Sequence, residues 1–137
     1  MREELLDSQF IANTNGVKVI ALPRYIKEES NPLNSFFLHS YNIIIENSSD
    51  EEIQLINRHW IITSGGKSYA DVKGEGVVGK QPILKPNFKF DYTSFSAIDS
   101  EYGTMEGTFT FRKISGEFFD VVIPKFDLFY EDLTLIQ

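Results

Sequence analysis

The sequence predicts an all-β fold in which two antiparallel sheets pack face to face. Three observations carry that reading. Apolar residues recur with a period of two, turn residues break the runs about every 8–12 residues, and no segment beyond the first residues shows a 3.6-residue period. The aromatic content, 14% with 12 Phe, supplies the thick apolar filling that stacked sheets enclose.

Taken in order, residues 1–14 mix charged and small polar groups. MREELLDSQF is long enough for two helical turns, but an isolated helix that short is marginal in water. We read 1–14 as an N-terminal tail and 15–137 as a single domain, in keeping with the 137-residue length. Val17 to Leu22 reads as the first strand. In SFFLHSYNIIIEN, Phe37, His39, Tyr41, Ile43 and Ile45 share one face of a second strand, and NSSDEE is the polar turn after it. IQLINRHWIITS is a third strand that stops at Ser64-Gly65-Gly66. Phe88, Phe90 and Tyr92 alternate in FKFDYTSF, and Met105, Gly107, Phe109 and Phe111 in TMEGTFTF. Phe119, Val121 and Ile123 alternate in FFDVVIP, reached from the preceding strand by the short connection Lys113–Glu117. Antiparallel hairpins with one Trp, Trp60, on the third strand suit an immunoglobulin-like or fibronectin type III-like sandwich. The absence of cysteine, and so of the usual inter-sheet disulfide, leans towards the fibronectin-type version.

Composition narrows the function classes. Without cysteine there is no thiol nucleophile and no thiolate metal site, which fits a reducing compartment. No apolar run approaches the roughly 20 residues of a membrane helix, and the acidic MREELLDSQF has no apolar signal core. The expectation is a cytoplasmic protein that does not bind membranes. A net charge of −7 and a pI near 4.8 argue against nucleic acid, which usually wants a basic face.

The stretch KGEGVVGKQP, residues 73–82, spells GxGxxG with Gly74, Gly76 and Gly79. A dinucleotide fingerprint needs a helix straight after it. Here Lys80, Gln81 and Pro82 follow, then the β-like ILKPNFKF, and Pro82 with Pro86 forbids a regular helix. Two readings of the glycines remain. They serve bends and bulges between strands, or their amides form a nest for a phosphate or carboxylate. Between Lys67 and Lys89 five lysines (67, 73, 80, 85 and 89) face only Asp71 and Glu75, a local cationic excess that suits an anion but also describes an ordinary solvated face.

No catalytic constellation stands out. His39 and His59 lie on different strands with no third ligand and no H-x-x-H spacing, so structural or surface roles are expected. Asp50, Glu51 and Glu52 lie in a polar turn without an EF-hand pattern, and there is no G-x-S-x-G elbow. Arg58 shares a strand face with Trp60, an unusual place for a cation. It is expected to pair with a buried carboxylate, stack on a ring, or point into a groove.

The motifs RHWII, V-x-G-x-GVVG-x-QP (72–82), F-x-YTS (90–94), G-x-M-x-G (103–107) and IPKF (123–126) occur in this order. Together they resemble the ApaG (CorD) family over roughly residues 15–128. The resemblance implies a fibronectin-type sandwich, no enzymatic activity, and a link to cobalt tolerance and magnesium efflux. Related domains in eukaryotic F-box proteins and in a DNA polymerase-interacting protein imply protein binding. The family's marked positions map onto Arg58, Trp60, Gly74, Gly76, Gly79, Gln81, Pro82, Tyr92, Ser94, Gly103, Met105 and Gly107. Lys80 stands where an acid is common, Asn87 replaces a usual glycine, and His39 is not a family feature. The expected function is therefore a non-enzymatic protein-binding module without a cofactor or bound metal, able to form a homodimer through its edges. Its candidate contact residues are Arg58, Lys73, Gly74, Gly76, Gly79, Lys80 and Gln81. The second expectation is a sensor that binds phosphate, pyrophosphate or a divalent cation at the glycine loop.

Overall fold

The structure, a computed structural model, describes residues 9–131. Nine strands follow in chain order: β1 (Phe10–Thr14), β2 (Val17–Tyr25), β3 (Phe37–Asn47), β4 (Ile53–Ser64), β5 (Lys67–Glu75), β6 (Ile83–Leu84), β7 (Lys89–Ile98), β8 (Tyr102–Lys113) and β9 (Phe118–Phe129). One antiparallel sheet has the order β1-β2-β3-β7, and the other has β5-β4-β8-β9 with β6 alongside β4. This is the expected β-sandwich. Residues 10–14, read as tail from the sequence, instead form β1 and pair with β2 from Phe10↔Ala21 to Thr14↔Val17. The rest of that tail, residues 1–8, lies outside the described residues.

The core lies between the sheets. On β3 every odd residue from Phe37 to Asn47 is buried, as its alternation predicts. Trp60 on β4 contacts Tyr41, Phe109 and Phe126 at ring-centroid distances of 5.2, 6.4 and 5.9 Å, which joins the sheets at the centre. Buried positions change phase where bulges interrupt pairing. Ile56 is the extra residue between the pairs Leu55↔Phe111 and Asn57↔Thr110, so Ile53 and Leu55 point inward before it, and Trp60 and Ile62 after it. On β9 the inward set likewise shifts from Val121 and Ile123 to Phe126 and Leu128.

β9 packs against β1 and β2, and the Val122 N–H donates to Thr14 Oγ1 at 3.1 Å. The two sheets end on the opposite side at β5 and β7, whose outer edges have no strand partner among the described residues.

Candidate functional site

The glycine stretch is a β-hairpin, not the opening of a helix. After Gly79 the chain passes through extended residues into the two-residue strand β6. Val77 and Lys80 exchange both backbone hydrogen bonds, at 2.8 and 2.9 Å. Between them Val78 (φ +43°) and Gly79 (φ +78°) are both left-handed, the geometry of a type I′ turn. Such a turn favours Asn-Gly, because a β-branched residue meets its own carbonyl there. Val78 nonetheless occupies the first central position and is half-exposed. Left-handed backbone at a non-glycine residue costs on the order of 1–3 kcal/mol and persists only where the surroundings hold it.

The β4 bulge holds it. The Ile56 carbonyl accepts the Gly76 N–H at 2.8 Å and Gln81 Nε2 at 3.0 Å. Leu55 N–H donates to the Pro82 carbonyl at 3.0 Å, and Gln54 Nε2 to the Gln81 carbonyl at 3.1 Å. From the other side Arg58 Nη1 donates to the carbonyls of Glu75 and Gly76, at 2.9 and 3.0 Å. Arg58 therefore answers to backbone carbonyls rather than to a buried carboxylate. Its guanidinium lies on Gly74, where an added Cβ would come within 2.8 Å of Nη1. Gly76, at φ +62°, has the Lys80 carbonyl only 2.2 Å from where a Cβ would stand. Steric need thus accounts for Gly74 and Gly76, and positive φ for Gly79.

Arg58 also acts on two phenols between the sheets. Burial raises the pKa of Tyr41, while a hydrogen bond from Ser94 and the charge of Arg58 oppose the rise. Burial pushes the Tyr92 phenol well up, and the adjacent Tyr41 adds to it while Arg58 again opposes. The buried Tyr92 hydroxyl has no hydrogen-bond partner among the described residues.

Of the seven expected contact residues, Arg58, Lys73 and Gly74 line one shallow groove of about 460 Å³ together with Asn57, His59 and Thr108. Gly76, Gly79, Lys80 and Gln81 belong to the hairpin beside it. Lys67 and Lys73 lie six residues apart on β5, about 20 Å at strand spacing, so these two do not share one patch. As for a nest, Gly76, Val77 and Lys80 spend their amides on internal bonds, while the Val78 and Gly79 amides have no backbone acceptor among the described residues. His59, missed as a groove residue, sits between its cross-strand neighbours Lys73 and Thr108, and its Nε2 lies 2.7 Å from Asp71 Oδ1. His39 is buried on the inner face of β3 with Nε2 unpartnered among the described residues, and burial lowers its pKa to about 4. The described residues contain no group of three or more His, Cys, Asp or Glu placed to hold a metal, and no helix long and apolar enough to cross a membrane.

Comparison with known proteins fits this geometry. The ApaG domain model (DUF525) matches residues 27–113. The chain belongs to the ApaG domain family. A protein ApaG of Methylobacterium nodulans is 44% identical over 117 residues, covering 85% of this chain and 90% of that protein. The protein ApaG of Dechloromonas aromatica is 41% identical over 116 residues, 85% of this chain and 91% of its own length. Among solved structures, a putative ApaA protein from Bordetella pertussis superposes with a TM-score of 0.81 at 38% identity, covering 83% of this chain and 93% of that one. The glycine stretch lies inside the matched residues and forms a braced hairpin whose tip is exposed.

Proposed function

We propose that this ApaG-domain chain is a non-enzymatic protein-binding module whose contact is the hairpin over residues 75–82. The observation that carries this reading is Val78, an apolar side chain exposed at a strained tip whose base is fixed by Arg58, Gln54 and Gln81. A rigid tip loses little conformational freedom on docking, so little binding energy goes into ordering it. The reading is tested by affinity capture from native extract with the wild type and Val78→Asn, followed by quantitative mass spectrometry. Asn suits the same turn, so the fold is kept while the apolar tip is lost. A partner enriched by the wild type and lost with Val78→Asn supports the proposal, and recovery of the same partners by both removes it.

A second reading follows from the free amides of Val78 and Gly79 beside Lys80. They offer donors to a phosphate or pyrophosphate, alone or with the Mg²⁺ or Co²⁺ that the family resemblance implies. Calorimetry with each ion, singly and combined, tests it. Absence of heat in every titration discards direct sensing. Under either reading the expected place of action is the cytoplasm.

A further inference from the structure

The outer edge of β5 has no strand partner among the described residues, and pairing with β4 occupies only half of its backbone groups. The Gly76 N–H donates to the Ile56 carbonyl, and alternation from there turns the backbone groups of Gly74, Val72 and Ala70 towards β4 as well. Those of Asp71, Lys73 and Glu75 therefore point to the open side. Tyr69 is the extra residue between the pairs Ile62↔Ala70 and Thr63↔Ser68, so this bulge limits the regular edge to residues 70–75. Asp71 and Lys73 project from the outer face beside Ile61 and His59, and Val72 projects from the inner face beside Trp60. All three are exposed.

Lysines on an edge usually deter strand addition, because a second copy brings like charges together. Here one register avoids that. Two antiparallel copies of β5 must set open backbone groups against open ones, which places the two-fold axis on a residue rather than between two. An axis on Asp71 opposes two aspartates. An axis on Lys73 opposes two lysines, and sets Asp71 against Glu75. An axis on Gly74 sets Lys73 against Glu75, but Gly76 turns off at φ +62° and only three residues per copy then pair. An axis on Ala70 runs into the bulge at Tyr69. An axis on Val72 pairs residues 70–74 of both copies and sets each Asp71 against the other copy's Lys73. Asp71 is bonded to His59 through Oδ1, yet its side chain is 63% exposed and keeps an oxygen for the lysine. The net charge of −7 on each copy opposes association only weakly, because physiological salt screens charges beyond about 8 Å.

We infer that two copies of this chain associate through β5, antiparallel, with the two-fold axis at Val72 and two Asp71–Lys73 pairs across it. Lys73 lines the groove that holds Arg58 and His59, so the second copy adds a carboxylate to the rim of that groove. One short strand from each copy buries less than the roughly 1,200 Å² of a standard interface, so the dimer is weak and forms at high chain concentration. The inference does not depend on the hairpin as a partner contact, and the two fail separately.

The chain has no cysteine, so a single introduced one reports the register. Val72 bonds towards β4, which makes Val72 and its copy a non-hydrogen-bonded pair with Cα atoms about 4.5 Å apart, within disulfide reach. Val72→Cys, oxidised with glutathione disulfide at millimolar chain concentration, is expected to give a covalent dimer. Ala70→Cys is not, because its two copies stand about 13 Å apart along the strands. In sedimentation equilibrium, Lys73→Asp and Asp71→Lys are each expected to weaken association by about tenfold or more, and an equal mixture of the two to restore it, since every aspartate then faces a lysine. Four results overturn the inference: a wild type that stays monomeric at millimolar concentration, equal cross-linking at positions 70 and 72, undiminished association of either charge variant, or a mixture that associates no better than its components.

Discussion

Replacing Gly74 by Ala sets two effects of opposite sign against each other. The new Cβ would stand 2.8 Å from Arg58 Nη1 and 2.9 Å from Cζ, so the guanidinium must move. Because it ends a flexible side chain, the cost is the loss of its bonds to the Glu75 and Gly76 carbonyls rather than backbone strain. Hydrogen bonds to charged groups contribute roughly 1.5–3 kcal/mol each when buried. Arg58 is only half-buried, which brings the pair down to about 2 kcal/mol in all. Against this, Ala inside a strand is favoured over Gly by about 0.5–1 kcal/mol. Gly74→Ala should therefore destabilise the protein by about 1 kcal/mol. In an Arg58→Ala background the same change should stabilise it by about 0.5 kcal/mol, because nothing remains to displace. Urea unfolding of the four proteins measures the cycle. Additive effects, or destabilisation of equal size in both backgrounds, would refute the stacking of Arg58 on Gly74.

Three further outcomes are expected. Val78→Asn relieves left-handed strain at the tip and should raise stability by about 1 kcal/mol, seen as a few degrees in Tm; a thermal scan showing a decrease contradicts the turn assignment. Tyr92→Phe removes a buried hydroxyl without a partner among the described residues, and should raise the urea midpoint by about 1 kcal/mol equivalent. His39 is held near a pKa of about 4 against an unfolded value near 6.5, so between these pH values the unfolded chain binds the extra proton. Its contribution is complete above pH 6.5 and falls away as pH drops to 4, by at most about 3 kcal/mol. Urea unfolding at several pH values should show that slope in the wild type, reduced in His39→Leu.

Much of the sandwich was legible because half-buried strands write burial as alternation. β3 shows it plainly, and the third strand read from the sequence ends where β4 ends, at Ser64. β5 escaped because it is an edge strand exposed along most of its length, so KSYADVKGE carries no alternation to read. β1 escaped for a related reason: five residues with no fully buried side chain resemble a tail until β2 pairs with them. At the site, the two prolines after Gly79 were enough to exclude a helix. The identity of Arg58's partners was not legible, since carbonyls 17 and 18 residues away are brought close by hairpin pairing, not by any side-chain pattern. The groove holding His59 and Thr108 was hidden likewise, because register between distant strands assembles it.

Amide hydrogen exchange across residues 76–80 tests most directly whether the glycine stretch is a preformed, braced hairpin. The hydrogen bonds require slow exchange at Gly76, Val77 and Lys80, with fast exchange at Val78 and Gly79. Uniformly fast exchange at all five would contradict the account, because a loop that orders only on meeting its ligand has no fixed tip to present.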